Sequence, residues 1–421
     1  MITVRPQRSI KASITVPGSK SLTQRALVTS ALADGESIIR GALISEDTNL
    51  LIEALRSLGA EITVEAEDVV INGTGGLIKI PKKPLYMGNN GTGIRFLTAV
   101  SALGGGRVVL TGSQRMEQRP IQDLLDVLNK LGAETISING TGCPPVKVMS
   151  PSGTLPGGPV TIAGSSSSQF ISAILLVAPY ARRKVILEIE GELVSTPYVF
   201  MTLKVMNDFG ISVLCKDYRI FDVPQGRYIS RVYTVEGDAS NASYFWAAAA
   251  VTGGRVCVEN VFADTIQGDA AFLNILEKMG CRVEKGDDGI TVFGPERLQG
   301  VTVDMNRWPD IVPTLAVVAA QAETETVIKN VAHLRIKETD RLRAVATELR
   351  KIGAQVEELP DGLVIRKGGP CGGVIETYND HRIAMSFAVA GLVTPDISIA
   401  GEECVAKSFP SFWETFDQLY A

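Results

Sequence analysis

The segment IKETDRLR (336–343) reads as the opening of a helix and places Lys337 and Arg341 four residues apart on one helical face, with Glu338 between them and three residues before Arg341. A carboxylate set among cations is biased towards its ionised form, so it holds a proton only when desolvation or an anionic ligand offsets them. YNDHR (378–382) gathers an amide, a carboxylate, an imidazole and the guanidinium of Arg382 just before the apolar run IAMSFAVAGL. WPDIVP (308–313) sets Asp310 between two prolines, and Lys407 stands alone further on. In the first half of the chain, SKSLTQR (19–25) offers Lys20, Ser21 and Arg25, and GNNGTGIR (88–95) offers Asn89, Gly91 and Arg95. Arg119 follows shortly, and SSSSQ (165–169) contributes Ser167, Ser168 and Gln169. Ammonium, guanidinium, hydroxyl and amide groups of this kind bind phosphates and carboxylates. Asp310 and Glu338 add the pair of carboxylates that proton transfer needs. Taken singly, each cluster also fits a helix cap, a glycine turn, a serine linker or a surface ion-pair ladder.

The elements that position these residues recur along the chain. One unit is an amphipathic helix ending in glycine and followed by a β-branched segment, as in ALRSLGAEITV (54–64), VLNKLGAETISI (127–138), VMNDFGISVLC (205–215), ILEKMGCRVEK (275–285) and ELRKIGAQVEE (348–358). The spacing predicts core helices closed by left-handed glycines at 59, 132, 210, 280 and 353. The other unit is a polar cluster followed by a helix of small apolar residues, at 18–35, 89–106, 165–179, 238–254, 309–322 and 379–394. Small apolar side chains nearly all round predict helices buried on several sides, each begun by a Ser, Thr, Asn or Asp cap, with Asp310 a candidate cap for its own helix. Free N–H groups at such starts attract anions. Lys20, Arg25, Arg95 and Arg119 in one half, with Lys337, Arg341, Arg382 and Lys407 in the other, would focus that field.

The sixth copy lacks the glycine-then-strand ending, and the leading segment 1–18, which contains the strand-like IKASITV (10–16), is a candidate to replace it. The chain is therefore expected to form a discontinuous domain, 1–18 plus 233–421, and a continuous one, 19–232, with three repeats each and the site in the cleft between them. The fold class expected is α/β.

Composition narrows the function. With 41 Lys+Arg against 46 Asp+Glu, a net charge of −5 disfavours a general grip on nucleic acid. No apolar run approaches the roughly 18–20 residues that span a bilayer, and the N-terminal segment shows no secretory leader pattern. Six cysteines without a C-x-x-C pair and two isolated histidines predict neither a metal site nor a disulfide framework, and point to the cytoplasm.

Nine ordered segments together resemble the enolpyruvyl transferase family: PGSKSLTQRAL (17–27), GNNGTGIR (88–95), RMEQRP (115–120), SSSQF (166–170), STPY (195–198), PD (309–310), RIKETDRLR (335–343), NDHR (379–382) and AKSFP (406–410). The resemblance implies an inside-out α/β barrel of six βαβαββ repeats, three per domain. It implies addition–elimination between phosphoenolpyruvate and the 5-hydroxyl of shikimate 3-phosphate, in the aromatic amino-acid branch of metabolism, with no cofactor and no metal. Both partners are small molecules; neither nucleic acid nor membrane is expected, and the chain is expected to be a monomer.

On that resemblance Lys20, Ser21, Arg25, Ser167, Ser168, Gln169, Ser195, Tyr198, Asp310, His333 and Lys337 hold shikimate 3-phosphate. Lys20, Asn89, Gly91, Arg95, Arg119, Gln169, Arg341, Arg382 and Lys407 hold phosphoenolpyruvate, with Gly91 letting the ligand approach the backbone. Asp310 is the implied base, Glu338 the implied acid towards the methylene carbon, and Lys20 the aid to phosphate departure. His333 stands where the family also shows asparagine. Asn90 and Phe96 depart from the usual glycine-loop residues and bear on sensitivity to glyphosate, the inhibitor of the phosphoenolpyruvate site. The alternatives are the UDP-N-acetylglucosamine branch of the same family and a non-catalytic phosphate- or RNA-terminus-binding repeat protein. Against the former, Ser21 rather than Asn follows Lys20, and 112–120 contains no cysteine.

Overall fold

Short β-branched segments supply the strands. EITVE and DVVIN pair as the antiparallel hairpin Glu61–Glu65 with Asp68–Asn72, burying Ile62, Val69 and Ile71 on one side. Period-two alternation of this kind makes one face a core face. The computed structural model describes residues 1–151, 153–165 and 167–421, and its architecture is mixed α/β. The chain divides into two units, Lys20–Val235 and Met1–Ser19 with Glu236–Ala421.

In the Lys20–Val235 unit the strands form three four-stranded sheets. Their orders are Val232–Thr234, Glu36–Arg40, Asp68–Asn72, Glu61–Glu65; Leu85–Tyr86, Arg107–Thr111, Val146–Met149, Glu134–Ser137; and Gly158–Ala163, Val185–Glu190, Ile220–Val223, Leu214–Lys216. Each sheet has one parallel pair followed by antiparallel neighbours. The same order governs two sheets of the other unit, Lys11–Ile14, Arg255–Val258, Gly289–Phe293, Arg282–Gly286 and Thr302–Asp304, Thr326–Lys329, Gly362–Arg366, Gln355–Leu359. The last sheet has three strands, Ile2–Thr3, Ile397–Ala400 and Gly373–Glu376.

The leading segment 1–18 supplies a strand to the last sheet, though from its first residues and not from IKASITV. The strand within IKASITV, Lys11–Ile14, runs parallel to Arg255–Val258 and begins a different sheet. The last sheet is completed by Ile2–Thr3, antiparallel to Ile397–Ala400. The physical reason is burial. Ile10, Ile14 and Val16 all pack into the core that holds Trp246, and a turn with Ser9 in the left-handed region separates the two strands.

Beneath the sheets lie the small-residue helices. Lys20–Leu32, Gly91–Ser101 and Ser168–Val177 bury nearly every side chain in their unit. In the other unit Ala239–Thr252, Val312–Ala319 and His381–Gly391 pack against one another. A chain of hydroxyls, Ser243 to Thr314 at 3.3 Å and Thr314 to Ser386 at 3.3 Å, links these three helices inside the core. With Thr314 bridging its neighbours, the polar groups are satisfied where water is excluded. The amphipathic helices end as their sequence predicts, with φ of 113°, 98°, 90°, 103° and 92° at Gly59, Gly132, Gly210, Gly280 and Gly353. Those angles are open to glycine at little cost.

Candidate active site

In the Lys20–Val235 unit the side chains of interest cluster around helix starts. Asn90 caps Gly91–Ser101 by accepting from the Gly93 N–H at 2.8 Å, and its own amide donates to the Asp47 carbonyl at 2.7 Å. Asn90 is therefore fixed by the backbone on both sides. Ser167 caps Ser168–Val177 by accepting from the Gln169 N–H at 3.3 Å. Ser166, the first residue of the SSSQF segment, lies outside the described residues.

Arg119 donates to the Asn89 carbonyl and side-chain oxygen at 2.9 and 3.0 Å. A Cβ on Gly91 would sit 2.4 Å from Arg119 Nη2 and 2.7 Å from its Cζ. The space that glycine leaves at 91 is thus filled by a guanidinium, which adds a reason for glycine to the expected approach of a ligand. Arg95 donates to the Gln169 side-chain oxygen and to the Pro120 carbonyl, and lies over the Phe170 ring. Gln169 also donates to Thr92 at 3.1 Å, so both helix starts share one network.

Arg25 is 1 % exposed, and its three nitrogens are engaged within the unit. Nε donates to Thr202 at 2.7 Å, Nη1 to the Ser21 carbonyl at 2.8 Å, and Nη2 to the Tyr198 carbonyl at 2.9 Å. Phe96, fully buried, lies under the guanidinium at 5.5 Å. Burial pulls the Arg25 pKa down to about 10, so the group remains a cation at neutral pH. In this arrangement Arg25 joins Lys20–Leu32 to the helix Thr196–Asp208. Phe96 is part of that support. Ser195, at the start of Thr196–Asp208, adopts a left-handed φ of 55°, uncommon for a residue with a Cβ. Lys20 pairs with the buried carboxylate of Asp47 at 3.3 Å.

The second cluster belongs to the other unit and is richer in acids. Arg341 donates Nε and Nη2 to the two oxygens of Asp380, at 2.7 and 3.1 Å, and Nη1 to Asp310 at 3.1 Å. Glu338 approaches Nη2 at 2.9 Å. Arg382 donates to the other Asp310 oxygen at 2.8 Å and to the Tyr244 hydroxyl at 3.4 Å. Asp380 caps His381–Gly391 through the Arg382 N–H at 3.0 Å. Burial works against charge on Asp310, but Arg382, Arg341 and Lys337 outweigh it and hold the carboxyl well below the usual range. Burial likewise disfavours the Arg341 cation, and Asp380, Glu338 and Asp310 reverse that and raise its pKa.

Two expectations are corrected here. Lys337 and Glu338 do not share a helical face with Arg341, because Asp340 accepts from the Arg343 N–H at 3.1 Å and starts the helix at Arg341. Lys337 is extended and follows the turn Ala332–Ile336. Asp310 does not cap Val312–Ala319; it lies in the turn Pro309–Ile311 and spends both oxygens on arginines. Side-chain caps are seen at Asn90, Ser167, Asp238 and Asp380, whereas Val312–Ala319 begins without one.

His333 sits in the turn Ala332–Ile336 with Nε2 enclosed and no hydrogen-bond partner for it among the described residues. Burial, then Lys337, push its pKa down to about 4 against the pull of Asp310. Lys407 is buried at the end of the turn Glu402–Lys407, and the next residue, Ser408, accepts from Asn241 of helix Ala239–Thr252 at 3.2 Å.

Sequence reasoning passed over Asp47, Thr202, Tyr244 and Asp269. Asp269 is buried, accepts from Ser240, and is pushed up to about 6 by burial and by Asp310. Its signal in the sequence was weak, a lone acid in QGDAAF. Among the described residues no set of three metal-binding side chains converges and no helix is long and apolar enough to cross a membrane.

The fold and these two clusters define an α/β protein with arginine-rich helix starts in each unit. A family model described as EPSP synthase (3-phosphoshikimate 1-carboxyvinyltransferase) matches residues 4–416. The chain is 46% identical over 416 residues to the 3-phosphoshikimate 1-carboxyvinyltransferase of Nostoc punctiforme, covering 98% of this chain and 97% of that protein. It is 46% identical over 414 residues to the protein of the same name from Methanosphaerula palustris, at 98% and 97% coverage. A solved EPSP synthase of Acinetobacter baumannii superposes with a TM-score of 0.82 at 30% identity, covering 99% of this chain and 97% of that one. The enolpyruvyl transferase NikO of Streptomyces tendae shares the fold, with a TM-score of 0.78 at 19% identity over 99% of this chain and 97% of its own. The chain belongs to the EPSP synthase family.

Proposed function

We infer that the two clusters serve one reaction, the family's transfer of the enolpyruvyl group of phosphoenolpyruvate to the 5-hydroxyl of shikimate 3-phosphate, with release of phosphate. The observation that carries this reading is the set of buried or half-buried cations, Lys20, Arg341 and Arg382 at helix starts with Arg95, Arg119 and Lys407, in a chain matched by the family over 4–416. Two substrates that each bear a carboxylate and a phosphate require such a set.

In the proposed division of labour, shikimate 3-phosphate meets Lys20, Ser21, Arg25, Ser167, Ser168, Gln169, Ser195, Tyr198, Asp310, His333 and Lys337. Phosphoenolpyruvate meets Lys20, Asn89, Gly91, Arg95, Arg119, Gln169, Arg341, Arg382 and Lys407. Asp310 accepts the 5-hydroxyl proton as that oxygen attacks C2, and Glu338 delivers a proton to the methylene carbon, giving a tetrahedral intermediate with a methyl group. The methyl group then returns a proton to the Glu338 carboxylate as the bond from C2 to the phosphate oxygen breaks, so that the C2–C3 double bond re-forms and phosphate leaves. With two arginines on its oxygens, Asp310 is a poor proton acceptor in the free protein. An incoming phosphoenolpyruvate draws Arg341 and Arg382 towards its own charges and raises the proton affinity of Asp310 as the site fills. The base is thereby switched on by the substrate.

The finer architecture proposed is an inside-out α/β barrel of six βαβαββ repeats, three per unit. The shared order of parallel pair and antiparallel hairpin in the four-stranded sheets supports it. A cytoplasmic monomer is proposed with it.

A phosphate-release assay with phosphoenolpyruvate tests the reaction, run in parallel with shikimate 3-phosphate and with UDP-N-acetylglucosamine as acceptors. Release with shikimate 3-phosphate alone is expected. Release with the sugar nucleotide, or with neither, overturns the reading.

A further inference from the structure

Helix Arg341–Lys351 carries a carboxylate that the proposed reaction leaves unused. Glu348 is fully buried in the last turn, where the helix dipole disfavours negative charge. It accepts from Lys351 Nζ at 2.6 Å, from the Glu376 N–H at 3.1 Å and from the Tyr378 hydroxyl at 2.7 Å. Burial, and after it the Glu348 carboxylate, push the Tyr378 hydroxyl up, so it stays a donor at neutral pH.

These bonds end on an unusual piece of backbone. Tyr378 and Asn379 both have φ of 53°, two left-handed residues in a row without a glycine. Such a conformation persists only where its surroundings hold it. The next residue is Asp380, fully buried, which caps His381–Gly391 and takes two donors from Arg341. Glu348 and Arg341 lie seven residues apart, two turns along one face of their helix. The helix therefore grips the 376–380 segment twice, at Glu376 and Tyr378 through Glu348 and at Asp380 through Arg341. The left-handed pair, Tyr378 held by Glu348 and then Asn379, leads from the first grip to the second.

We propose that Glu348 and Tyr378 are positioning residues: they hold the left-handed turn so that Asp380 presents both oxygens to Arg341 and aims its guanidinium at the anionic substrate. This rests on the assignment of Arg341 and Arg382 to phosphoenolpyruvate made above. A plain packing role for Glu348 and Tyr378 would alter stability and leave substrate affinity alone.

The test uses the full-length protein with Tyr378→Phe, Glu348→Gln, Asp380→Asn and the double variant Tyr378→Phe/Asp380→Asn. KM and kcat are measured for each substrate with the other saturating, alongside thermal melts. Tyr378→Phe is expected to raise KM for phosphoenolpyruvate about fivefold and to leave KM for shikimate 3-phosphate within about twofold. Glu348→Gln keeps a neutral acceptor and is expected to raise the same KM about two- to threefold. In the Asp380→Asn background, Tyr378→Phe is expected to add less than about twofold, because both act through one residue. A folded Tyr378→Phe with unchanged KM for phosphoenolpyruvate overturns the inference, as does a full multiplicative effect in the Asp380→Asn background. Should Tyr378→Phe fail to fold, an unchanged KM in Glu348→Gln decides against it equally. Wild-type protein inactive with shikimate 3-phosphate would remove the underlying reading and this inference with it; active wild type with unresponsive variants removes this inference alone.

Discussion

The two units hold their arginines in different ways. In Lys20–Val235 the acceptors described for Arg25, Arg95 and Arg119 are carbonyls, hydroxyls and side-chain amides, and the helix caps Asn90 and Ser167 are neutral. In the other unit Arg341 and Arg382 rest on Asp310, Glu338 and Asp380, and the caps Asp238 and Asp380 are carboxylates. Neutral acceptors orient a guanidinium without cancelling its charge, which leaves an anion-binding surface. Carboxylate partners cancel much of the charge but leave groups that can exchange protons. Under the proposed reaction, the contrast assigns one unit mainly to binding anions and the other to binding them and moving protons.

The largest effect that could break this contrast is at Asp310. Asp310→Asn is expected to lower kcat about 10²–10⁴-fold, the usual worth of a positioned acid or base, with far less change in KM for shikimate 3-phosphate. Arg341 keeps Asp380 and Glu338 in that variant, so the fold should survive. A kcat within about tenfold of wild type in steady-state assays would reduce the acidic cluster to a charge balance.

A smaller effect is expected in the binding unit. Gly91→Ala places a methyl group against the Arg119 guanidinium, which must move. KM for phosphoenolpyruvate should rise about tenfold, the equivalent of one displaced charge-assisted contact at ~1.4 kcal/mol. Retained kcat at saturating substrate would sharpen the division between the units, whereas a collapse of kcat would blur it.

The smallest effects concern pH, and both fall in the acidic unit. His333 titrates near 4 when folded and 6.5 ordinarily. Between those values the unfolded chain binds a proton that the folded one refuses, so stability present above 6.5 is lost as pH falls towards 4. Asp269, raised from 3.8 to about 6, acts in the opposite sense: its folded form keeps a proton that the unfolded chain releases, and that stability is lost as pH rises from 3.8 towards 6. Melting temperatures relative to wild type should therefore be more favourable at pH 5 than at pH 7.5 for His333→Asn, and the reverse for Asp269→Asn. Equal shifts at both pH values would show that neither group is held in the stated charge state.

Local features were readable because their causes are local. The glycines that close the amphipathic helices adopt left-handed angles since the chain must turn there within a residue or two. Asp380 caps its helix through an N–H two residues away. The segment 336–343 was misread as helical from Lys337 because cation spacing resembles a helix face, while the competing cap at Asp340 carried the decision. IKASITV was recognisable as a strand, yet its partner was not, because pairing depends on which sheet offers an open edge beside a buried face.

By itself, then, the sequence determined the charged and hydroxyl residues available, the amphipathic and small-residue helices, and the family resemblance that implies the reaction. Only the tertiary structure decided that Arg25 spends its donors on Thr202 and Tyr198, far along the chain, and that Asp310 is gripped by Arg341 and Arg382. The reason is physical. A side chain's partner and charge state depend on what burial and neighbouring charges leave to it, and those neighbours are gathered by the packing of distant helices.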